Sequence, residues 1–225
     1  MKHIPPAWFI TGTDTEIGKT FVACALLHAL RRSGARAVAM KPIAAGCDDH
    51  GMNDDVERLL AASSFAPPRR LVNPYAFRAA IAPHIAAAEE GRQIELPAIA
   101  SAFAELRSLA DVVLVEGVGG FCVPLDATSD TADLAALLDL PLILVVGMRL
   151  GCINHALLTA QAIAARRLPL AGWVANRIDP AMSRFSENLA ALCSRLPAPL
   201  LGVVEHGTTP AEAGLSLRLP QAPGY

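Results

Sequence analysis

Short runs of consecutive apolar residues recur along the chain, separated by longer stretches with helical spacing. The runs are Trp8–Ile10, Ala37–Met40, Val112–Val115, Leu142–Val146, Gly172–Ala175 and Leu201–Val204. They do not alternate with polar residues, as a strand with one wet face would. Each is continuous and rich in Val, Leu or Ile, the pattern of a strand covered on both faces. Between them, apolar spacing predicts helices over Thr20–Arg32, Asp54–Ala62, Ala79–Glu89, Pro97–Leu109, Thr131–Leu138, Asn154–Arg166 and Arg184–Leu196. Strands and helices alternating in this way predict an α/β fold, a doubly wound and mostly parallel sheet flanked by helices. Pro67-Pro68 and Asn73-Pro74 mark a loop between helices. After Gly207 the chain is rich in Pro and Gly and weakly periodic, so the tail is expected to be poorly ordered.

Composition narrows this picture. At 225 residues, 53% hydrophobic and 18% charged, the chain can fill one core but is short for two, so residues 1–225 are expected to form a single domain. The formal net charge of −2 carries no basic surplus for nucleic acid, and no basic amphipathic segment suggests an anionic membrane. The opening Met1-Lys2-His3-Ile4-Pro5-Pro6 lacks the apolar region of a secretory signal. The stretch Leu140–Met148 is broken by Pro141 and far shorter than a membrane span. Cys24, Cys47, Cys122, Cys152 and Cys193 are odd in number and scattered, with no C-x-x-C pair. They read as small core or loop residues in a reducing cytoplasm.

In an open parallel sheet, ligands gather beyond the carboxyl ends of the strands. The residues following each run therefore deserve a list of their own. Gly12–Thr20 follows the first, Lys41-Pro42 the second and Glu116-Gly117-Val118-Gly119-Gly120 the third. Gly147 and Gly151-Cys152-Ile153-Asn154-His155 follow the fourth, and Asn176-Arg177 the fifth. Glycines and polar groups thus cluster on one rim.

Residues 12 to 20 read Gly-Thr-Asp-Thr-Glu-Ile-Gly-Lys-Thr, a loop between a strand and a helix. Backbone N–H groups there suit a triphosphate, and the helix N-terminus adds its positive dipole end. Lys19 would reach the outer phosphates, and the Thr20 hydroxyl would hold Mg²⁺. The common phosphate loop has about four residues between its glycines; here Thr13 to Ile17 make five.

Glu116 ends an apolar strand and is followed by glycines, the shape of the element that meets Mg²⁺ directly or through water. Lys41 could neutralise a transferring phosphoryl group; the pattern alone leaves a solvated strand-end Lys equally open. Asp54 and Asp55 open a helix, where one would cap it and the other could complete the metal site. Gly151–His155 is a turn entering a helix, with Asn154 as its expected N-cap and free N–H groups for a carboxylate.

Several strings together resemble the dethiobiotin synthetase family. They are Gly-Thr-Asp-Thr-Glu-Ile-Gly-Lys-Thr (12–20), Lys-Pro-Ile-Ala (41–44), Val-Asn-Pro-Tyr (72–75), Pro-His (83–84), Val-Glu-Gly-Val-Gly-Gly (115–120), Val-Val-Gly-Met-Arg-Leu-Gly-Cys-Ile-Asn-His (145–155) and Ala-Gly-Trp-Val-Ala-Asn (171–176). They span the chain from about Phe9 to Gly202, and the five-residue spacer belongs to the same pattern.

The resemblance implies a P-loop ATPase fold and an Mg²⁺- and ATP-dependent ligase. Such a ligase makes dethiobiotin from 7,8-diaminononanoate and CO₂, through a carbamate and a carbamic–phosphoric anhydride. It implies Lys19, Lys41 and Thr15 as catalytic side chains, and Thr20, Asp55 and Glu116 as the metal site, which selects Asp55 over Asp54. ATP would be bound by Gly12, Thr13, Glu16, Ile17, Gly18, Lys19, Thr20, Phe21, Glu116 and Gly119, with Asn176 on the adenine. Thr15, Glu16 and Lys41 would meet the diamine. Its carboxylate would lie on Gly151, Cys152, Ile153 and Asn154 of a second subunit, which implies a homodimer with active sites at the interface.

The sequence departs from the family at Ala45, where a Ser is typical, and at Asn188, where a Tyr is common. Arg177 replaces a common Asp, and Glu205-His206-Gly207 replaces a Pro-containing loop beside the base. Two other readings share parts of the pattern. A cobyrinate-synthase-like amide ligase would carry a glutamine-hydrolysing domain, for which this chain is too short. A dimerising switch ATPase of the partitioning or cell-division type would carry an extra Lys early in the phosphate loop, where this chain has Gly12-Thr13-Asp14.

Overall fold

The structure, a computed structural model, describes residues 7–220; the readings of Met1–Pro6 and of Gln221–Tyr225 lie outside it. In chain order the elements are β1 (Ala7–Gly12), α1 (Lys19–Arg32), β2 (Ala37–Met40), β3 (Ile43–Ala45), α2 (Asp54–Ala62), α3 (Arg69–Val72), β4 (Tyr75–Phe77), α4 (Pro83–Glu89) and α5 (Leu96–Arg107). They continue as β5 (Val112–Glu116), α6 (Thr131–Leu138), β6 (Leu142–Gly147), α7 (Cys152–Ala165), β7 (Leu170–Asn176), α8 (Phe185–Arg195), β8 (Leu200–Val204) and α9 (Pro210–Ser216).

The main sheet has the order β2-β5-β1-β6-β7-β8 with parallel pairings throughout. Each apolar run is one of its strands, and helices cover both faces. Along β1, Trp8 and Ile10 pack with Val22, Leu26 and Leu27 of α1, while Phe9 packs on the opposite side with Ile99 and Phe103 of α5. On β6, Ile143 and Val145 join the α1 side, whereas Leu144 and Val146 pack with Ala156 and Ala160 of α7. Continuous apolar runs are therefore explained by burial on two faces.

Sheet order also sets the site. β1 is central, and after it the chain moves to one edge, fills in with β5, and then crosses to β6. That reversal opens the crevice of a doubly wound fold at the carboxyl end of β1. Ile10 is in register with Glu116, which places that acid beside the start of the phosphate loop.

Three expectations need correction. Within the tail after Gly207, Pro210–Ser216 form α9, which packs against α1 and β8. It is started by a capping box, in which Thr209 Oγ1 accepts from Glu212 N and Glu212 Oε2 accepts from Thr209 N. Residues 79–82 are not helical; α4 begins at Pro83, whose fixed φ suits a first helical position. The Pro- and Asn-rich stretch between α2 and α4 also holds α3 and β4, and β4 pairs with β3 in a small parallel sheet of two strands.

Candidate active site

The phosphate loop leaves β1 and returns into α1 over residues 13–18, and its backbone is held from beneath. Thr13 N donates to Val145 O of β6 (3.1 Å), and Asn176 Nδ2 donates to Ile17 O (2.8 Å). The Ile17 side chain is buried against the ends of β6 and β7, where a Cβ on Gly147 would lie 2.5 Å from Ile17 Cγ2. Gly18 caps α1 with φ +81, and a Cβ there would meet Asn176 Nδ2 at 2.2 Å. Both backbone conformation and space thus require glycine at 18. Glu16 also adopts a left-handed backbone (φ 59), at a cost on the order of 1 kcal/mol for a residue with a side chain.

Lys19 Nζ donates to Asp14 O (2.9 Å). Asp14 is fixed in turn: its Oδ1 accepts from Thr15 N (2.8 Å), and its Oδ2 from Arg149 Nη2 (2.6 Å). Below the loop lies a buried polar cluster. Thr20 Oγ1 donates to Glu116 Oε1 (2.7 Å), and Lys41 Nζ donates to the same oxygen (2.5 Å) while also reaching Asp55 Oδ2 (3.4 Å). Glu116 and Lys41 are 1% and 4% exposed, so this charge pair sits in the protein interior and must satisfy itself there.

The titration of the two lysines reflects that setting. Burial, then repulsion from Lys41, lowers Lys19 from 10.5 to about 8, against the pull of Glu116, Asp55 and Asp14. Burial also works against a charged Lys41, but Glu116 and Asp55 outweigh it and hold its pKa above the ordinary value. Lys41 therefore stays protonated.

Glu116 Oε2 is buried and, among the described residues, has no hydrogen-bond partner. Such an atom costs free energy unless a cation or donor meets it. Together with Thr20 Oγ1 and the half-exposed Asp55 it forms an all-oxygen donor set from three separate elements, which suits a hard ion such as Mg²⁺.

Above this cluster opens a cavity of about 710 Å³. It brings together Thr15, Glu16, Gly18, Lys19, Thr20, Phe21, Lys41, Asp55, Glu116 and Gly119 from the residues expected at the site. Gly12, Thr13, Ile17 and Asn176 are not among its lining residues; Thr13 and Ile17 belong to the loop itself, and Asn176 holds it through Ile17 O. Gly151, Cys152, Ile153 and Asn154 do not line this cavity. The N-cap of α7 is Gly151 (φ 95), not Asn154, and the Cys152 side chain is buried with Leu144 and Val146. Burial raises the Cys152 thiol above its ordinary value, which disfavours the thiolate.

Sequence reasoning missed four contributors. Asn53, rather than either aspartate, caps α2: its Oδ1 accepts from Asp55 N (3.1 Å) and Val56 N (3.4 Å). The string Asn53-Asp54-Asp55 allowed that reading one residue earlier. Asn73 Nδ2 donates to Lys41 O (2.7 Å) and Tyr75 O (3.0 Å), pinning the turn that carries Lys41. Arg149 holds Asp14, as described. Arg58 lines the cavity one helical turn beyond Asp55.

Comparison with known proteins now decides between the P-loop readings. A family model described as an AAA domain matches residues 7–210. The chain is 63% identical over 221 residues to the ATP-dependent dethiobiotin synthetase BioD of Aromatoleum aromaticum, covering 96% of this chain and 98% of the relative. It is 56% identical over 199 residues to the protein of the same name from Nitrosospira multiformis, covering 88% of each. The chain belongs to the dethiobiotin synthetase family. Solved structures of lower identity share the fold. A MinD cell division protein from Aquifex aeolicus superposes with TM-score 0.56 at 14% identity, covering 93% of each chain. A ParA family ATPase from Chlorobium tepidum gives 0.55 at 14%, covering 95% of this chain and 90% of that one.

The departures from the dethiobiotin synthetase pattern fall at the edges of the site. Ala45 lines the cavity with no side-chain donor. Asn188 Nδ2 is turned back to Arg184 O (2.8 Å) on α8. Arg177 pairs with Glu205 (3.2 Å) and stacks over Phe185 at 4.8 Å, tying the ends of β7 and β8 together.

Proposed function

We propose that this protein is an ATP-dependent cyclo-ligase that closes the ureido ring of dethiobiotin from 7,8-diaminononanoate and CO₂. The observation that carries the reading is the buried Thr20–Glu116–Lys41 cluster beneath the Lys19 loop, in a chain that belongs to this family. One amine of the diamine adds to CO₂ and becomes a carbamate. A carbamate oxygen attacks the γ-phosphorus of ATP, and the bond to the ADP oxygen breaks. The second amine then attacks the carbonyl of the mixed anhydride, closing the ring as phosphate leaves.

No protein nucleophile is needed, so the side chains act by position and charge. Lys19 leaves Asp14 O to meet the outer phosphates. Lys41, kept charged by Glu116 and Asp55, faces the carbamate and the transferring phosphoryl group. Thr15 and Glu16 line the cavity and would meet the diamine. Thr20, Asp55 and Glu116 would hold Mg²⁺, which would supply charge neutralisation to the triphosphate. Asn176 holds the loop from beneath through Ile17 O, and its amide oxygen would accept from the adenine.

We assign the 151–154 segment to the substrate carboxylate of a partner subunit, in a homodimer. It does not line this chain's own cavity, and Leu150 beside it is 93% exposed. We place the reaction in the cytoplasm, since all five cysteines are free thiols. No described helix is long and apolar enough to cross a membrane. The deciding experiment supplies purified protein with 7,8-diaminononanoate, bicarbonate, Mg²⁺ and ATP. Dethiobiotin and ADP in equal amounts are expected; ADP without dethiobiotin would overturn the assignment.

A further inference from the structure

We propose that Arg58 is a nucleotide-binding residue whose guanidinium holds the non-transferred phosphates, an assignment that rests on the triphosphate reading of the same cavity. Arg58 stands on α2, three residues after Asp55 and so on the same helix face. It lines the main cavity, and it also lines a second hollow of about 420 Å³ with Phe21, Cys24 and His28 of α1 and Pro210 of α9. α2 is fixed against α1 at this point, because Cys24 Sγ donates to Arg58 O (3.5 Å). The Arg58 backbone is therefore held while its side chain is exposed at the seam between the two spaces.

The neighbouring charges already have partners. Asp55 reaches Lys41, and Glu57 pairs with Arg69. Among the described residues, no hydrogen bond or ion pair engages the Arg58 guanidinium. The ionisable side chains lining the main cavity are Glu16, Lys19, Lys41, Asp55, Arg58 and Glu116, three cations against three carboxylates. Without Arg58 the balance would be negative before a polyanion enters. Lys41 is engaged by Glu116 and Asp55, and Lys19 by Asp14 O. The Arg58 guanidinium presents a planar fork of donors matched to phosphate oxygens.

Position along the nucleotide follows from the two spaces. Lys19 and Thr20 mark the outer phosphates and the metal, whereas the second hollow runs past Phe21 towards α9, away from Lys41. The seam between them matches the inner phosphates, ahead of the sugar.

The test is calorimetric binding of ADP and of inorganic tripolyphosphate, with Mg²⁺, to wild type, Arg58→Met and Arg58→Lys. Loss of a charge-assisted hydrogen bond predicts about tenfold or weaker binding of both ligands to Arg58→Met. Arg58→Lys should recover part of that loss, because it keeps the charge but not the fork. The thermal midpoint without ligand should match wild type, since the side chain has no partner in the free protein. Unchanged affinity for both ligands would overturn the assignment, and so would weakening confined to ADP, which would move Arg58 to the sugar or base. Wild type that binds neither ligand would instead overturn the triphosphate reading itself.

Discussion

Lys19 illustrates how a functional side chain sets its own stability cost. Folded, it gives up its proton near pH 8; in the unfolded chain it keeps it to about 10.5. Between these values the unfolded chain binds more protons, so this residue makes stability rise with pH across that window. Below pH 8 the buried charge costs on the order of 3 kcal/mol. Lys19→Met is therefore expected to abolish dethiobiotin formation yet raise stability at pH 7, with the gain fading between pH 8 and 10.5. Urea unfolding of both proteins at pH 7, 9 and 10 measures the difference, and a destabilised variant at pH 7 would contradict it. Glu16 makes a separate case. It lines the cavity, and on the proposed reading it meets the diamine, so Glu16→Ala should raise the KM for 7,8-diaminononanoate about tenfold or more. ADP affinity should stay within about twofold, and equal loss of both would place Glu16 in the phosphate site.

Elements differ in how openly the sequence displays them. The six strands of the main sheet are legible because burial on both faces demands unbroken apolar runs, and Val112–Val115 or Leu142–Val146 have no other use for so many Val, Leu and Ile residues. The phosphate loop and the Glu116 rim were legible for a chemical reason: glycine and a terminal acid interrupt those runs where the fold opens. β3 and β4 span three residues each, too short for any period to register, and their partner is each other. α9 was masked by proline, although Thr209-Pro210-Ala211-Glu212 carries the Thr-x-x-Glu signature of a capping box. That box gives a direct test. Thr209→Ala should cost about 1 kcal/mol and speed hydrogen exchange in α9 more than in the central strands. Because α9 packs on α1 and Pro210 borders the hollow beside Phe21, nucleotide binding should weaken modestly as well. Uniform exchange throughout would show that α9 opens only with the whole domain.

At the scale of the whole molecule, one part of the proposed site, the 151–154 segment, does not line the cavity of its own chain. Around that segment the surface is unusually apolar: Leu150 is 93% exposed and Leu158 55%. Asn154 and Leu158 stand four residues apart on one face of α7, so the apolar surface and the expected carboxylate contact are presented together. An exposed leucine at the entrance of a helix gains nothing for an isolated chain, whereas burial of a full side chain is worth roughly 1.5–3 kcal/mol. A homodimer built on this face would bury both leucines and deliver Asn154 towards the other chain's cavity. Leu158→Asp is therefore expected to turn a dimer into a monomer in sedimentation velocity runs. It should leave ADP binding intact, because the phosphate loop, Lys41 and Glu116 all belong to one chain. Dethiobiotin formation should fall chiefly through a raised KM for the diamine. A wild-type protein that sediments as a monomer while forming dethiobiotin at full rate would remove the partner from the site and return the carboxylate contact to residues of the same chain.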